Sequence, residues 1–185
     1  MIQYYAGEWK DHKIVFVNEN SEKLLFDGKP IAENKPGIRF SATLAGELPT
    51  GSDISVFAHL DGCNCACVVG KILETLYDKD TKTFYTEYNG HKIECNNKKM
   101  KAAMFIDGKE VDKEDSGIHS YQILGSAADE NGKRIMAAIY GEGLKLKCTF
   151  IAEAENVKMV MCQKQGGELV PVSASDAFGV IYIDN

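Results

Sequence analysis

No apolar run in the 185-residue chain approaches the roughly 20 residues that a membrane-spanning helix requires. Basic residues are outnumbered: 21 Lys and Arg stand against 27 Asp and Glu, for a net charge of −6. A surface that grips phosphate needs clustered Lys and Arg, so neither nucleic acid nor an anionic membrane is expected as a partner. The opening MIQYYAGEWKDHK lacks the basic start and apolar middle of a signal peptide. The expectation is a soluble, cytoplasmic protein whose six cysteines stay mostly reduced. Catalytic signatures are missing as well. Gly166-Gly167 and Ser173–Gly179 (SASDAFG) have loop composition, outside the strand–turn–helix setting of a nucleophile elbow or phosphate loop. No catalytic residue, cofactor or metal ligand is assigned.

The chain does contain an internal repeat. EWKDHKI, Glu8 to Ile14, recurs as EYNGHKI, Glu87 to Ile93, and LLFDGK, Leu24 to Lys29, recurs as MFIDGK, Met104 to Lys109. Gly37-Ile38 returns as Gly117-Ile118, and Leu44 as Leu124. The offset is 79 residues for the first match and 80 for the others. Two copies, residues 1–80 and 81–160, are expected, with residues 161–185 as a tail that adds a strand over Gly179–Ile183. The unit reads as all-β. Asn89-Gly90 and Asn131-Gly132 carry the strongest short hairpin signal, because a type I′ turn needs positive φ at both central residues. Asp27-Gly28, Asp61-Gly62 and Asp107-Gly108 punctuate further strands, and VGKILETL (Val69–Leu76) reads as a continued strand. The expected fold is all-β: two duplicated antiparallel β-sandwich-like units, in tandem or about a pseudo-twofold axis.

The stretch CNCAC places Cys63, Cys65 and Cys67 at alternate positions. A tetrahedral zinc site holds its ligands at about 2.3 Å, whereas alternate residues of a strand are about 6.7 Å apart, so a straight strand is a poor single-zinc clasp. The same spacing disfavours a disulfide within the run. The repeat adds a contrast. With a turn at Gly141-Glu142, the second copy buries Ile135, Ala137, Ile139, Leu144, Leu146 and Cys148. Its other face holds Arg134, Met136, Ala138, Tyr140, Lys145 and Lys147. With a turn at Asp61-Gly62, the first copy is instead most apolar on the face that matches the lysines. That face carries Ile54, Val56, Ala58, Leu60, Cys63, Cys65 and Cys67. Either the hairpin turns this face inward, or copy two, the tail or a second subunit covers it. These seven residues are the candidate contact surface.

His12 and His91 are equivalent in the repeat and are assigned to the fold. His59 should point away from the thiols, which disfavours a Cys-His nucleophile; His119 also belongs to one copy alone. Asp78, Asp80 and Thr81 read as a solvated turn, since the glycine and distal glutamate of an EF-hand are absent. Trp9 and Tyr88, and likewise Tyr5 and Phe84, are equivalent aromatics expected in the core. Tyr4 and Tyr85 are candidates for the edge of a ligand cleft.

His-Lys-Ile, a short hairpin, a strand ending Asp-Gly-Lys, a Gly and a longer strand occur at His12–Lys29 and His91–Lys109. This rhythm resembles the β-sandwich units of the Fas apoptotic inhibitory molecule and uncharacterised bacterial tandem β-repeat proteins. The resemblance implies a soluble, non-enzymatic, all-β intracellular protein that acts through protein contacts, and it transfers no functional residue. The expected role is an interaction or self-association module with a protein partner or a second copy. The alternative is a small-ligand or metal-binding domain, with its site between the copies or at Cys63, Cys65 and Cys67.

Overall fold

Alternating burial and closely spaced two-residue turns make this chain a succession of hairpins. The computed structural model describes residues 2–37, 39, 41–115, 122–128, 132–142 and 144–172, without the side chains of 115 and 122–128. The expected turn at Asn131, the strand at Gly179–Ile183, the SASDAFG loop, His119 and the Gly117-Ile118 match lie outside the described residues. The protein is all-β, with its strands in three antiparallel sheets. It divides into two compact units, Met1–Val69 with Asn156–Asn185, and Gly70–Glu155.

In unit 1, β1 (Gln3–Trp9), β2 (His12–Asn18), β3 (Glu22–Phe26) and β4 (Lys29–Glu33) form a meander. β5 (Ser41–Glu47) pairs with β6 (Ser55–Asp61), which leads into β7 (Asn64–Leu73). In unit 2, β8 (Leu76–Asp78) pairs with β9 (Thr83–Tyr88), followed by β10 (His91–Lys98), β11 (Lys101–Ile106) and β12 (Lys109–Asp115). Then come β13 (Gln122–Ala128), β14 (Arg134–Glu142) and β15 (Lys145–Val157). β16 (Val160–Gln165) returns to unit 1, where it pairs with β1 and with β17 (Glu168–Pro171).

The two meanders share details beyond strand order. Trp9↔His12 and Tyr88↔His91 close the first hairpins. The second uses Asn89 (φ 51°) and Gly90 (φ 80°), as the Asn-Gly pair predicts; the first uses Lys10 (φ 46°) and Asp11 (φ 64°). Asp27-Gly28 and Asp107-Gly108 adopt the same pair of angles, 49° and 81°. The β3/β4 register slips between Leu24 and Leu25, and the β11/β12 register between Met104 and Phe105.

Each unit has its own apolar core. In unit 1, Tyr5, Ile14, Phe16, Leu24 and Phe26 from β1–β3 meet Ala42, Leu44, Val56, Ala58, Leu60, Cys67 and Val69 from β5–β7. In unit 2, Ile93, Cys95, Ala102 and Met104 meet Ile135, Ala137, Ile139, Cys148 and Phe150. Trp9 and Tyr88 pack against their respective cores, as do Phe84 and, fully buried, Tyr5. VGKILETL does extend a strand, β7, as far as Leu73. Gly70 lies within it because an added Cβ would sit 2.7 Å from the Ala152 carbonyl oxygen.

The second hairpin differs from its expected register. Glu142 pairs with Lys145, so the chain reverses two residues beyond Gly141-Glu142. Leu144 is therefore fully exposed in the loop and Leu146 is exposed, while Ile135, Ala137, Ile139 and Cys148 reach the core as expected. Met136, Ala138 and Tyr140, placed on the face opposite the expected core, are buried too.

Candidate functional site

The cysteine run spans three environments. Asp61 stays in β6, Gly62 (φ 61°) and Cys63 make the turn, and Asn64 opens β7. The Gln3 side-chain amide fixes this turn by donating to the Gly62 carbonyl oxygen at 2.9 Å. Cys63 is exposed, Cys65 is half-buried and Cys67 is buried. The turn falls one residue later than the Asp-Gly pair suggests, and this removes Cys63 from the strand face.

The expected contact surface is largely interior. Val56, Ala58, Leu60 and Cys67 lie in the core of unit 1, and Ile54 and Cys65 pack against it. Their cover is β1–β3 of the same unit, so the hairpin does turn its apolar face inward. Burial pushes the Cys67 thiol up to about 12, and burial next to Cys67 pushes Cys65 well up. Neither thiol is available as a thiolate near neutral pH. Among the described residues, no group of three His, Cys, Asp or Glu converges as metal ligands would.

A polar network that the sequence analysis missed lies beside this hairpin. Gln3 Nε2 also donates to the Tyr5 hydroxyl (3.3 Å), and Asn18 Nδ2 donates to Gln3 Oε1 (3.2 Å) and the Arg39 carbonyl (3.1 Å). Glu22, fully buried, accepts from Arg39 Nη1 at 3.0 and 2.9 Å. These polar residues sit at strand ends, where an alternating pattern carries no signal that they will be buried. A buried carboxylate next to its own guanidinium is the arrangement that makes such burial tolerable. The phenol of Tyr5 is pushed up by burial and then by the neighbouring Cys65 and Cys63 sulfurs.

The repeated histidines have a structural partner. His12 Nδ1 contacts Asp27 Oδ2 at 2.7 Å, and His91 Nδ1 contacts Asp107 Oδ2 at 2.6 Å. The other carboxylate oxygen accepts the backbone N–H of Lys13 or Lys92. His59 is buried in β6, with Thr43 Oγ1 at 2.6 Å from Nδ1, and burial lowers its pKa to about 4. The His-Lys and Asp-Gly-Lys matches, read together, were the available signal for the two His–Asp pairs.

The remaining candidates have ordinary local roles. Asp78 Oδ1 accepts from the amides of Asp80 (2.9 Å) and Thr81 (3.3 Å), which makes a side-chain-capped turn. The rings of Tyr4 and Tyr85 are each covered by a lysine, Lys164 at 5.5 Å and Lys92 at 5.2 Å.

β8 stands out as a surface. It borders its sheet, and Leu76 and Tyr77 on it are 45% and 49% exposed, with Ile72 at 38% a few residues earlier. Three of the other border strands carry recognised blocks to pairing: Pro30 in β4, Pro171 in β17, and charged residues at six of the seven positions of β12; β5 and β13, the borders of the third sheet, carry neither proline nor a charged row. Among the described residues, no helix is long and apolar enough to cross a membrane. Comparison with protein-family models, characterised proteins and solved structures returns no significant match.

Proposed function

We propose that the chain is a non-catalytic β-protein that works by contact with other protein chains, a second copy of itself included. The exposed apolar group on β8 carries this reading. Leu76 and Tyr77 lie on a sheet border that bears neither proline nor a row of like charges, and the Asp78 carboxylate is turned back onto the following turn. Open strand borders of this kind receive an added strand, and clustered exposed apolar side chains mark contact surfaces. The cysteine face that first suggested an interface supports a core, so the contact is assigned to β8 instead.

The test is the native mass of the reduced protein over a range of concentrations. The wild type should give a dimer, and Leu76→Lys a monomer with an unchanged circular dichroism spectrum and melting temperature. A wild type that stays monomeric throughout would remove self-association. A variant that dimerises normally would remove β8 as the contact.

A further inference from the structure

The two meanders end differently on the side of their first strand. In unit 1, β16 lies beside β1, and β17 lies beyond β16. In unit 2, β8 takes the place of β16, and the registers match position for position. Val160, Met161 and Cys162 oppose Ala6, Tyr5 and Tyr4, as Leu76, Tyr77 and Asp78 oppose Tyr85, Phe84 and Thr83. No described strand of unit 2 takes the place of β17. Met161, with β17 on its far side, is partly buried. Its counterpart Tyr77 is 49% exposed, although its ring lies 4.7 Å from that of Phe84.

The Asn89-Gly90 turn fixes which way the backbone of Tyr77 faces. In a two-residue hairpin the closing pair exchanges both hydrogen bonds, and bonded pairs then alternate with pairs that exchange none. Tyr88↔His91 closes this turn, so Phe84↔Cys95 is a bonded pair, and the N–H and C=O of Phe84 face β10. Phe84 therefore offers no backbone group to Tyr77. Leu76 and Asp78 bond to β9, and Tyr77 between them turns its own N–H and C=O to the open border. Unit 1 shows the same direction in use: the Met161 carbonyl accepts from the Val172 N–H at 2.9 Å.

We propose that the open place beside β8 is taken by β8 of a second copy, antiparallel to the first about a twofold axis at Tyr77. This rests on the reading of β8 as the contact and specifies its register. Tyr77 opposes its own counterpart, and each N–H donates to the other's carbonyl. The length of β8 favours a second copy over a foreign strand. It has 3 residues, and the turn held by Asp78 Oδ1 follows at once. A longer strand would run past this border, whereas a second β8 matches it end to end. The side chains agree. Tyr77 opposite Tyr77 joins the two Tyr77–Phe84 contacts into one aromatic row, and cross-strand aromatic pairs are favourable. Leu76 opposes Asp78 of the other copy, so the strand's one carboxylate does not meet its like.

The test oxidises Tyr77→Cys mildly in the full chain, at a concentration where the wild type is dimeric, and maps the cystines after digestion. Bonded partners in an antiparallel pair have Cα atoms about 5.5 Å apart, within disulfide reach. The expected result is a cystine joining position 77 of one copy to position 77 of the other. Leu76→Cys should give no such link to itself, because its two copies lie about 8 Å apart in this register. A second measurement needs no variant. The wild-type Tyr77 amide should exchange its hydrogen about tenfold more slowly, or slower still, in the dimer than after dilution to monomer, with little change at Leu76 and Asp78. A dimer that Leu76→Lys breaks, but that shows neither the link at position 77 nor protection of its amide, would overturn the twofold register and leave β8 as the contact. A wild type that stays monomeric at every concentration would overturn both.

Discussion

The Nδ1 atom of His12 lies 2.7 Å from Asp27 Oδ2, and the same atoms of His91 and Asp107 are 2.6 Å apart. Each aspartate spans a hairpin junction. Its carboxylate holds the histidine and the next backbone amide, while its own N–H donates to Lys13 or Lys92. The backbone amide and the histidine hold the Asp27 carboxyl below the usual carboxylate range; at Asp107 the histidine contributes most, followed by the amide.

A depressed aspartate stabilises the fold above its unfolded pKa, and the contribution is lost as pH falls through the lower folded value. Asp27→Asn and Asp107→Asn keep a side chain that tolerates positive φ. Each should melt below the wild type at pH 6, and the gap should close as pH falls below about 3.8. Melting temperatures at a series of pH values check this, and a gap independent of pH would count against the charge on the lock.

His59 acts over a different window. Its folded pKa is about 4 against an ordinary value of 6.5, so the unfolded state binds more protons between these limits. Stability should be complete above pH 6.5 and fall by about 3 kcal/mol as pH drops toward 4. Urea unfolding at several pH values measures the slope. His59→Gln, which cannot titrate there, should flatten it.

Gly70→Ala tests the close approach of β7 to β15. The new methyl would lie 2.7 Å from both the Ala152 oxygen and Ile151 Cγ2. Backbone cannot yield as a flexible side chain does, so a cost of about 1–3 kcal/mol is expected. It should appear as a lower urea midpoint at unchanged slope.

Thiol labelling of the native reduced protein should be ordered by exposure. Cys63 should react first with a small alkylating agent at pH 8. Cys67, pushed up to about 12 by burial, should stay protected until the fold opens. Peptide mapping of partly labelled protein reads the order, and equal rates at Cys63 and Cys67 would contradict the burial described.

The all-β character was legible because turn chemistry is local. Asn89-Gly90, Asp27-Gly28 and Asp107-Gly108 adopt positive φ where the residue types demand it. Register was less legible. At Asp61-Gly62-Cys63-Asn64 more than one two-residue turn is available to the sequence, and the Gln3 amide on the Gly62 carbonyl accompanies the later one. Which face a strand buries was hidden for a related reason. β6 is buried on both sides, since Phe57 and His59 are as inaccessible as Val56 and Leu60, and such a strand has no polar face to read. The burial of Glu22 was not legible, because the guanidinium that neutralises it lies 17 positions further along the chain.

The way the chain divides has a consequence for its inheritance. The border strand β8 precedes residue 80 yet completes the later meander, and β16 comes near the end yet completes the earlier one. A gene cut at residue 80 would give two fragments, each holding a piece of the other's sheet. The halves are therefore not exchangeable modules: neither can be lost, shuffled or expressed alone without leaving a strand unhoused, and the two fragments should regain their structure by complementing each other.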